Sequence, residues 1–156
     1  MQIQDELQAM PLPKIYKRKD TQCFLDPYRE KLIPATPEEY VRQRVNAWLE
    51  KSLSVPNRVI IVEQHLSHYG LPRKDRADIV IHRETKDGML PLAVIECKAE
   101  NVFISDATIQ QVMRYADAME CDYMFFTNGI EILCYKYDEN QKQYFELSDM
   151  PTYNDM

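Results

Sequence analysis

The sequence contains few glycines, and its cysteines show no metal-binding or redox spacing. Both features narrow the classes of function that are possible. Only three glycines occur among 156 residues, which argues against the glycine-rich loops that cradle phosphates in P-loop and dinucleotide-binding proteins. The G-x-S-x-G elbow of serine hydrolases is also absent. The four cysteines form no C-x-x-C pair and no zinc spacing. We therefore expect reduced, mostly buried thiols in a cytoplasmic protein.

Long hydrophobic runs are missing as well. No apolar run approaches the roughly 20 residues of a membrane helix, and the first ten residues contain no apolar signal-peptide core. We therefore expect no association with a membrane. The net charge of −6 argues against a free-standing, tight, nonspecific DNA binder, because phosphate contacts dominate such binding. The length fits one domain with a sizeable core.

The stretch from residue 76 to residue 99 carries the chemistry that the sequence suggests. Two apolar segments with the character of β-strands lie on either side of a turn at residues 86–88, where Asp-Gly supplies the backbone angles of a hairpin. The first segment contains Asp78, and the second contains Glu96 and Lys98. With the preceding strand, they predict a three-strand meander.

The charged residues of this stretch are predicted to lie close together. Side chains two apart on a strand point to the same face, so Glu96 and Lys98 should share the face of Leu92 and Val94. An acid and a lysine in such a run are costly to bury unless they pair or bind something. In an antiparallel hairpin Asp78 would lie near Glu96. A divalent cation would relieve their repulsion, and Mg²⁺ takes one or two carboxylates plus water and phosphate oxygens.

This order of residues is similar to a known family. Asp78, then residues 96–98 (Glu-Cys-Lys), then Gln111 and Tyr115 resemble the signature of the PD-(D/E)XK nuclease superfamily. The closer resemblance is to the N-terminal nuclease domain of type I restriction enzyme R subunits, and it covers about residues 24–137. It implies an α/β fold with a single restriction-endonuclease-like domain. A central mixed β-sheet, built from the antiparallel meander plus further strands, would be flanked by helices in an αβββαβ core.

The resemblance also implies an activity and a cofactor. The chain would be a Mg²⁺-dependent DNA endonuclease that hydrolyses phosphodiester bonds, with Mn²⁺ as a substitute ion. Asp78, Glu96 and Lys98 would be the catalytic residues. Asp78, Glu96 and the backbone carbonyl of Cys97 would hold the metal. Lys98 would orient or help to deprotonate a water and stabilise developing negative charge, and a lysine suits this role because its pKa can fall on partial burial.

An additional acid is expected from the first long helix or the strand after it. Thr36 is a predicted N-cap, and the helix should run to about Leu53. The resembled superfamily often supplies a glutamate from this helix. Glu38 is favoured because it lies beside the predicted buried face, whereas Glu39 falls on the opposite side and is explained by capping. The helix dipole alone also favours acids here, and Glu63 on the next strand is a third candidate, so the choice stays open.

Two further groups are candidates for supporting the site or contacting the DNA backbone. Gln111 and Tyr115 are four apart and therefore neighbours on a helix predicted from Ser105 or Asp106 to about Glu120. A polar pair at the helix rim is the alternative interpretation, and Gln110 is a less well phased substitute. Arg76 ends a basic connection that would lie beside the metal, although a solvated hairpin loop fits the same residues.

The predicted division of the chain is an N-terminal arm at residues 1–20, a nuclease-like domain at 21–150 and a frayed tail at 151–156. The arm contains a basic cluster that reads either as a solvated tail or as a phosphate contact.

The sequence has no helicase or translocase motor, whereas full enzymes of the resembled type join the nuclease to one. The implied partners are therefore DNA, a motor or specificity subunit on a separate chain, and a second copy of the chain, since double-strand cutting needs two sites. The alternative is a non-catalytic subunit that retains the fold to bind nucleic acid or protein. The sequence leaves open the choice between DNA and RNA and the base specificity.

Overall fold

Two β-sheets and three α-helices make up the fold, and the computed structural model describes residues 1–156. The helices are α1 (Gln4–Gln8), α2 (Pro37–Lys51) and α3 (Asp106–Met119). The strands are β1 (Ile15–Arg18), β2 (Thr21–Asp26), β3 (Lys31–Pro34), β4 (Ile60–His65), β5 (Arg76–Thr85), β6 (Gly88–Cys97), β7 (Tyr123–Thr127), β8 (Ile132–Asp138) and β9 (Gln143–Glu146). None of the helices is both long and apolar enough to span a lipid bilayer.

The large sheet contains the predicted meander. Its strand order is β4-β5-β6-β7-β8-β9. The strands β4, β5 and β6 pair antiparallel, whereas β6 and β7 pair parallel. A parallel pair needs a crossover connection, and α3 supplies it. The order α2-β4-β5-β6-α3-β7 is the predicted αβββαβ core, and the mixed α/β fold class is confirmed.

The two long helices begin at side-chain caps that the sequence encodes. The hydroxyl of Thr36 accepts a hydrogen bond from the backbone N–H of Glu39 at 3.2 Å. At α3 the hydroxyl of Ser105 accepts one from the N–H of Thr108 at 3.3 Å. Each bond satisfies one of the free donors of a helix start. Both helices end within two residues of the predicted ends.

The large sheet is covered on both faces. One apolar cluster packs α1 and α2 against it, with residues such as Val45 and Leu49 meeting Ile79. A second cluster packs α3 against the other face, where Tyr115 and Ala116 are buried. The central strands β5 and β6 are consequently apolar on both sides, as expected of strands covered on both faces.

A β-bulge changes one predicted face. The register of β5 with β6 shifts between Ile81 and His82, so β6 has an extra residue at Leu92. Leu92 therefore packs in the same cluster as Ala93, whereas Val94 packs in the other. The prediction that Leu92 shares the face of Val94 is wrong because the extra residue breaks the alternation of side chains.

The two ends of the chain pack on the domain. Ile3 and Leu7 are 3% and 1% exposed, and β1 pairs antiparallel with β2. At the other end, the backbone N–H of Tyr153 donates to the carbonyl of Leu53 at 2.8 Å, and its hydroxyl donates to the carbonyl of His82 at 2.9 Å. Residues 151–156 are therefore packed rather than frayed. In the predicted arm only the beginning is packed, and its basic residues are exposed. The proposed domain boundaries stay a prediction.

The small sheet β1-β2-β3, which the sequence analysis missed, gives α2 a second buried side. Phe24 of β2 meets Tyr40 edge-to-face with ring centroids 4.8 Å apart. The turn after β2 also reaches the helix, since the hydroxyl of Tyr28 donates to Glu50 at 2.7 Å. Polar residues of α2 are therefore buried together with its apolar stripe. All four cysteines are buried free thiols, as predicted.

The packing of α1 makes a prediction about stability. Leu7→Ala should lower the free energy of unfolding by about 2–4 kcal/mol, because it leaves a cavity in the main core. Leu90→Ala is the matched control, since Leu90 is 58% exposed and should change stability by less than about 0.5 kcal/mol. Urea unfolding of both variants measures the difference. Equal effects would contradict the role of the N-terminal residues in the core.

Candidate functional site

Asp78 links the two strands that carry the predicted site. It lies near the start of β5, and its Oδ2 accepts a hydrogen bond from the backbone N–H of Cys97 at 2.7 Å. Cys97 stands between Glu96 and Lys98 at the end of β6. The hydrogen bond therefore holds the Asp78 carboxylate against the segment that carries the other two candidates. The structure thus brings the three predicted catalytic residues together.

Glu96 and Lys98 form an ion pair with one oxygen to spare. The Nζ of Lys98 donates to Oε1 of Glu96 at 3.0 Å. Glu96 is only 7% exposed, and its Oε2 is buried without any hydrogen-bond partner. The side chain of Lys98 is 26% exposed. One carboxylate oxygen is therefore left without a partner beside a cation that solvent can reach.

Burial and mutual repulsion both act on the acids of the site and change the pKa values of its ionisable groups. Burial, together with repulsion from Asp78, raises the pKa of Glu96 to about 8 against the attraction of Lys98. Burial and the charge of Asp78 also raise the pKa of Glu38. Burial acts to lower the pKa of Lys98, but attraction by Glu96, Glu38 and Asp78 outweighs it, and the pKa is raised. The structure therefore differs from the expectation that burial lowers the pKa of Lys98.

Arg42 is the hub of the acidic cluster. It is 6% exposed, and its Nη2 lies 2.7 Å from Oδ1 of Asp78, 3.1 Å from Oε1 of Glu63 and 3.3 Å from Oε1 of Glu38. The attraction of Asp78 and Glu39 raises its pKa against the effect of burial. The burial of Arg42 shows that it is neither a solvated surface group nor freely accessible to a phosphate.

A signal for Arg42 was present in the sequence. It follows two glutamates of the same helix by three and four residues, the spacing at which helical neighbours pair. An isolated helix would show such pairs at its surface. Burial of this one follows from the small sheet and from β4 and β5, whose positions only the fold determines.

Glu63 stands opposite Asp78 in an unusual backbone conformation. The ladder pairs Val62 with Ile79 and Gln64 with Ala77, so Glu63 faces Asp78 across the two strands. Its φ of +57° lies in the left-handed region, which non-glycine residues adopt at a cost of about 1–2 kcal/mol. Strain of this kind inside a strand commonly accompanies a functional site. Arg76 joins this group, with its Nη1 3.7 Å from Oε2 of Glu63.

The position predicted for Glu39 is wrong. Its side chain is 4% exposed and forms ion pairs with Arg29 and Arg42. Gln43 also donates to Glu39, at 2.9 Å. The sequence analysis placed Glu39 on the outer side of α2, but the small sheet and Arg29 cover that side. Of the three candidate extra acids, Glu38 and Glu63 contact the Arg42 nitrogen that also binds Asp78, whereas Glu39 contacts the other terminal nitrogen.

Gln111 and Tyr115 form the pair expected from their spacing. The Nε2 of Gln111 donates to the hydroxyl of Tyr115 at 2.8 Å. Tyr115 is buried in the cluster beneath α3, and Gln111 is exposed. The buried tyrosine thus orients an amide at the surface.

The chemistry of these side chains fits a hard cation, although the site is not preformed. No three histidine, cysteine or carboxylate side chains are arranged as a metal site. The guanidinium of Arg42 lies among the oxygens of Glu38, Glu63 and Asp78 instead. Carboxylate oxygens are the ligands that Mg²⁺ prefers, and the unpartnered Oε2 of Glu96 is an acceptor still available. The donor set therefore suits Mg²⁺ or Mn²⁺.

The chain is similar to known proteins. Residues 37–151 match the family model described as the type I restriction enzyme R protein N terminus. Among solved structures, a fragment described as the HsdR subunit of a type I restriction enzyme from Vibrio vulnificus is 33% identical, with a TM-score of 0.39. That similarity covers 52% of this chain and 15% of the other chain. No curated protein is significantly similar.

The raised pKa of Glu96 makes a prediction about pH. Between the ordinary value of 4.5 and about 8, the folded metal-free protein holds a proton on Glu96 that the unfolded chain releases. Its free energy of unfolding should therefore fall as the pH rises through this window. Glu96→Gln should remove this part of the slope, because glutamine does not titrate.

Urea unfolding in the presence of a chelator, at pH values from about 5 to about 8, tests the expectation. The exposed Glu139→Gln variant is the control and should retain the wild-type slope. A wild-type slope in Glu96→Gln would show that Glu96 is not the titrating group.

Proposed function

The chain belongs to the family of type I restriction enzyme R protein N termini, and on that premise we propose that it is a Mg²⁺-dependent nuclease domain that hydrolyses phosphodiester bonds in DNA. Membership confirms the resemblance to R subunits that the sequence suggested. The assignment to the PD-(D/E)XK superfamily, the metal dependence and the DNA substrate are parts of the proposal.

The observation that carries the proposal is the hydrogen bond between Asp78 and the N–H of Cys97. It joins an acid on one strand to the acid–x–lysine segment of the next, an arrangement that can hold a divalent cation beside a lysine and a phosphate. Asp78, Glu96 and the backbone carbonyl of Cys97 are the proposed ligands, with Glu38 as an additional acid. A bound Mg²⁺ supplies charge neutralisation at the phosphate and a water of lowered pKa.

Lys98 is the proposed electrostatic group of the reaction. Its pKa is raised by the surrounding acids, so it remains a cation at neutral pH in the metal-free protein. Its partial exposure lets a phosphate approach it, while Oε1 of Glu96 holds the ammonium in place. A fixed cation at this point would stabilise negative charge that develops on the phosphate. Its proposed role is to orient a water or help to deprotonate it, and to stabilise this charge.

Gln111 and Arg76 are the proposed contacts to the DNA backbone. The amide of Gln111 is exposed and oriented by Tyr115, and Arg76 is half exposed beside Glu63. Contacts of this kind fix the position of a duplex without reading its sequence. They would place the scissile phosphate against Lys98.

The proposed partners follow from the family and from the charge of the chain. The chain matches 15% of the length of the HsdR chain that it resembles, and its net charge is −6. A phosphate-binding surface on a motor or specificity subunit would supply the DNA affinity that the acidic domain lacks. A second copy is a further proposed partner, because cutting both strands needs two sites.

The acidic charge also favours a second candidate function. A subunit that keeps the fold to bind nucleic acid or protein would need neither the metal nor Lys98. Cleavage experiments decide between the two functions.

Substitution of the two central residues should abolish cleavage. In a plasmid-cleavage assay with Mg²⁺, Asp78→Ala and Lys98→Ala should each lower the rate by about 10²-fold or more, the scale of losing one electrostatic group. The control is Lys86→Ala, which removes an exposed lysine at the tip of the β5–β6 hairpin and should cut at the wild-type rate. Cleavage that survives both substitutions would refute the assigned site, and a folded wild type that never cuts would favour the binding subunit.

The Gln111–Tyr115 pair should matter less than the central residues. Gln111→Ala should raise the DNA concentration at half-maximal cleavage several-fold while lowering stability by about 1 kcal/mol, since a part-buried hydrogen bond is lost. The adjacent, exposed Gln110→Ala is the matched control. If the two variants behave alike, Gln111 is an ordinary rim residue.

A further inference from the structure

Three carboxylate oxygens converge on one nitrogen of Arg42. They come from three different elements, with Glu38 on α2, Glu63 on β4 and Asp78 on β5. All three lie within 3.3 Å of Nη2. A single N–H₂ group with two hydrogens cannot give strong hydrogen bonds to three acceptors at once. The surrounding acids are therefore only partly satisfied by the arginine.

The oxygens around Nη2 are of the type that coordinates a metal ion, but they lie farther from Nη2 than ligands lie from a metal ion. Carboxylate oxygens around one positive centre are what Mg²⁺ requires, at 2.0–2.1 Å from the ion. Around Nη2 the oxygens of Glu63 and Asp78 stand at 3.1 Å and 2.7 Å, as hydrogen bonding dictates. The guanidinium thus keeps the acids together and at the same time keeps them too far apart for a small ion.

A second observation shows that the cationic side chains do not pair with all the carboxylate oxygens of the site. Glu96 is 7% exposed, and its Oε2 has no partner. A buried acceptor without a partner is costly. Arg42 and Lys98 therefore leave a buried carboxylate oxygen of this cluster without a cationic partner.

The other end of the guanidinium has an anchor of its own. Nη1 of Arg42 is paired with the buried Glu39, which Arg29 and Gln43 also hold. If Nη2 lost its contacts, Arg42 would consequently remain paired with Glu39 of the same helix. The side chain can release Asp78 without becoming an unpaired buried charge.

We propose that Arg42 is the internal counter-ion of the metal-free site, and that its Nη2 and a divalent cation compete for the oxygens of Glu38, Glu63 and Asp78. The proposal rests on the metal dependence of the proposed function. Arg42 is accordingly a positioning residue that preorganises the acids and sets the affinity for the ion. Binding of the ion includes the release of Asp78 by Arg42.

Metal binding to an Arg42 variant tests the competition. Arg42→Met removes the charge and keeps much of the side-chain volume. In a Mn²⁺ titration that follows the free ion by electron paramagnetic resonance, the Arg42→Met protein should bind Mn²⁺ about tenfold more tightly than wild type, equivalent to about 1.4 kcal/mol. The same variant should be less stable than wild type in a chelator and should gain more stability from Mn²⁺, since the ion binds only the folded state.

The matched control is Arg44→Met on the same helix. Arg44 lies 4.0 Å from the partly exposed Glu100 and contacts none of the central acids. Its Mn²⁺ affinity should equal that of wild type. Unchanged or weaker Mn²⁺ binding by Arg42→Met would overturn the proposal, because it would mean that Arg42 assists the ion or does not meet it.

Removal of Arg42 leaves several acids without a counter-charge and can prevent folding. Arg42→Lys is the second variant for that case. A single ammonium on a shorter stem cannot hold Glu39 and Asp78 together, so Mn²⁺ should still bind more tightly than to wild type. Equal affinity for wild type and Arg42→Lys would count against the competition.

Failure of this proposal and failure of the proposed function have different signatures. Mn²⁺ titration and unfolding need no DNA, and they can be repeated in the Lys98→Ala background. Tighter binding by the Arg42 variants without any cleavage would sustain the competition and reject the nuclease. If wild type cleaves DNA but the Arg42 variants bind Mn²⁺ no more tightly than wild type, the nuclease is sustained and the competition is rejected. If neither wild type nor the variants bind Mn²⁺, the competition is refuted.

Discussion

The site depends on carboxylates that are buried close to one another and must be kept from repelling each other. The N–H of Cys97 fixes one oxygen of Asp78 and the guanidinium of Arg42 fixes the other. Lys98 offsets part of the charge of Glu96. Like charges in a low-dielectric interior are strongly unfavourable unless paired. Burial, aided by repulsion from Asp78, raises the pKa of Glu96, and a divalent cation would relieve that repulsion.

The architecture serves this constraint. The β4-β5-β6 meander places one acid on each of three adjacent strands, namely Glu63, Asp78 and Glu96. Helix α2 closes the group with Glu38 and Arg42. Two apolar clusters hold the sheet from both faces, so the charged group is supported by a rigid frame. The left-handed backbone conformation of Glu63 costs free energy locally, and the packing of the surrounding sheet compensates for it.

The acidic character of the chain and its family lead to the same functional picture. The proposed nuclease domain has a net charge of −6, which suits it poorly to hold DNA by itself, whereas the family is that of R-subunit N termini. Affinity for DNA and chemistry at the phosphate would then reside on different parts of an assembly. An arginine that occupies the acids in the absence of metal would keep such a domain stable and inactive until an ion binds.

The sequence by itself determined the order of the core elements from α2 to β7 and led to Asp78, Glu96 and Lys98 as the proposed central residues. Caps at Thr36 and Ser105, the Asp-Gly turn and the apolar runs of β5 and β6 are local signals, and local signals suffice for helices and hairpins. Only the tertiary structure decided the roles of Arg42, Glu39 and the chain ends. Their packing partners come from other elements, among them β4 and β5 for Arg42 and Arg29 for Glu39, and helical periodicity cannot report a surface that another element covers.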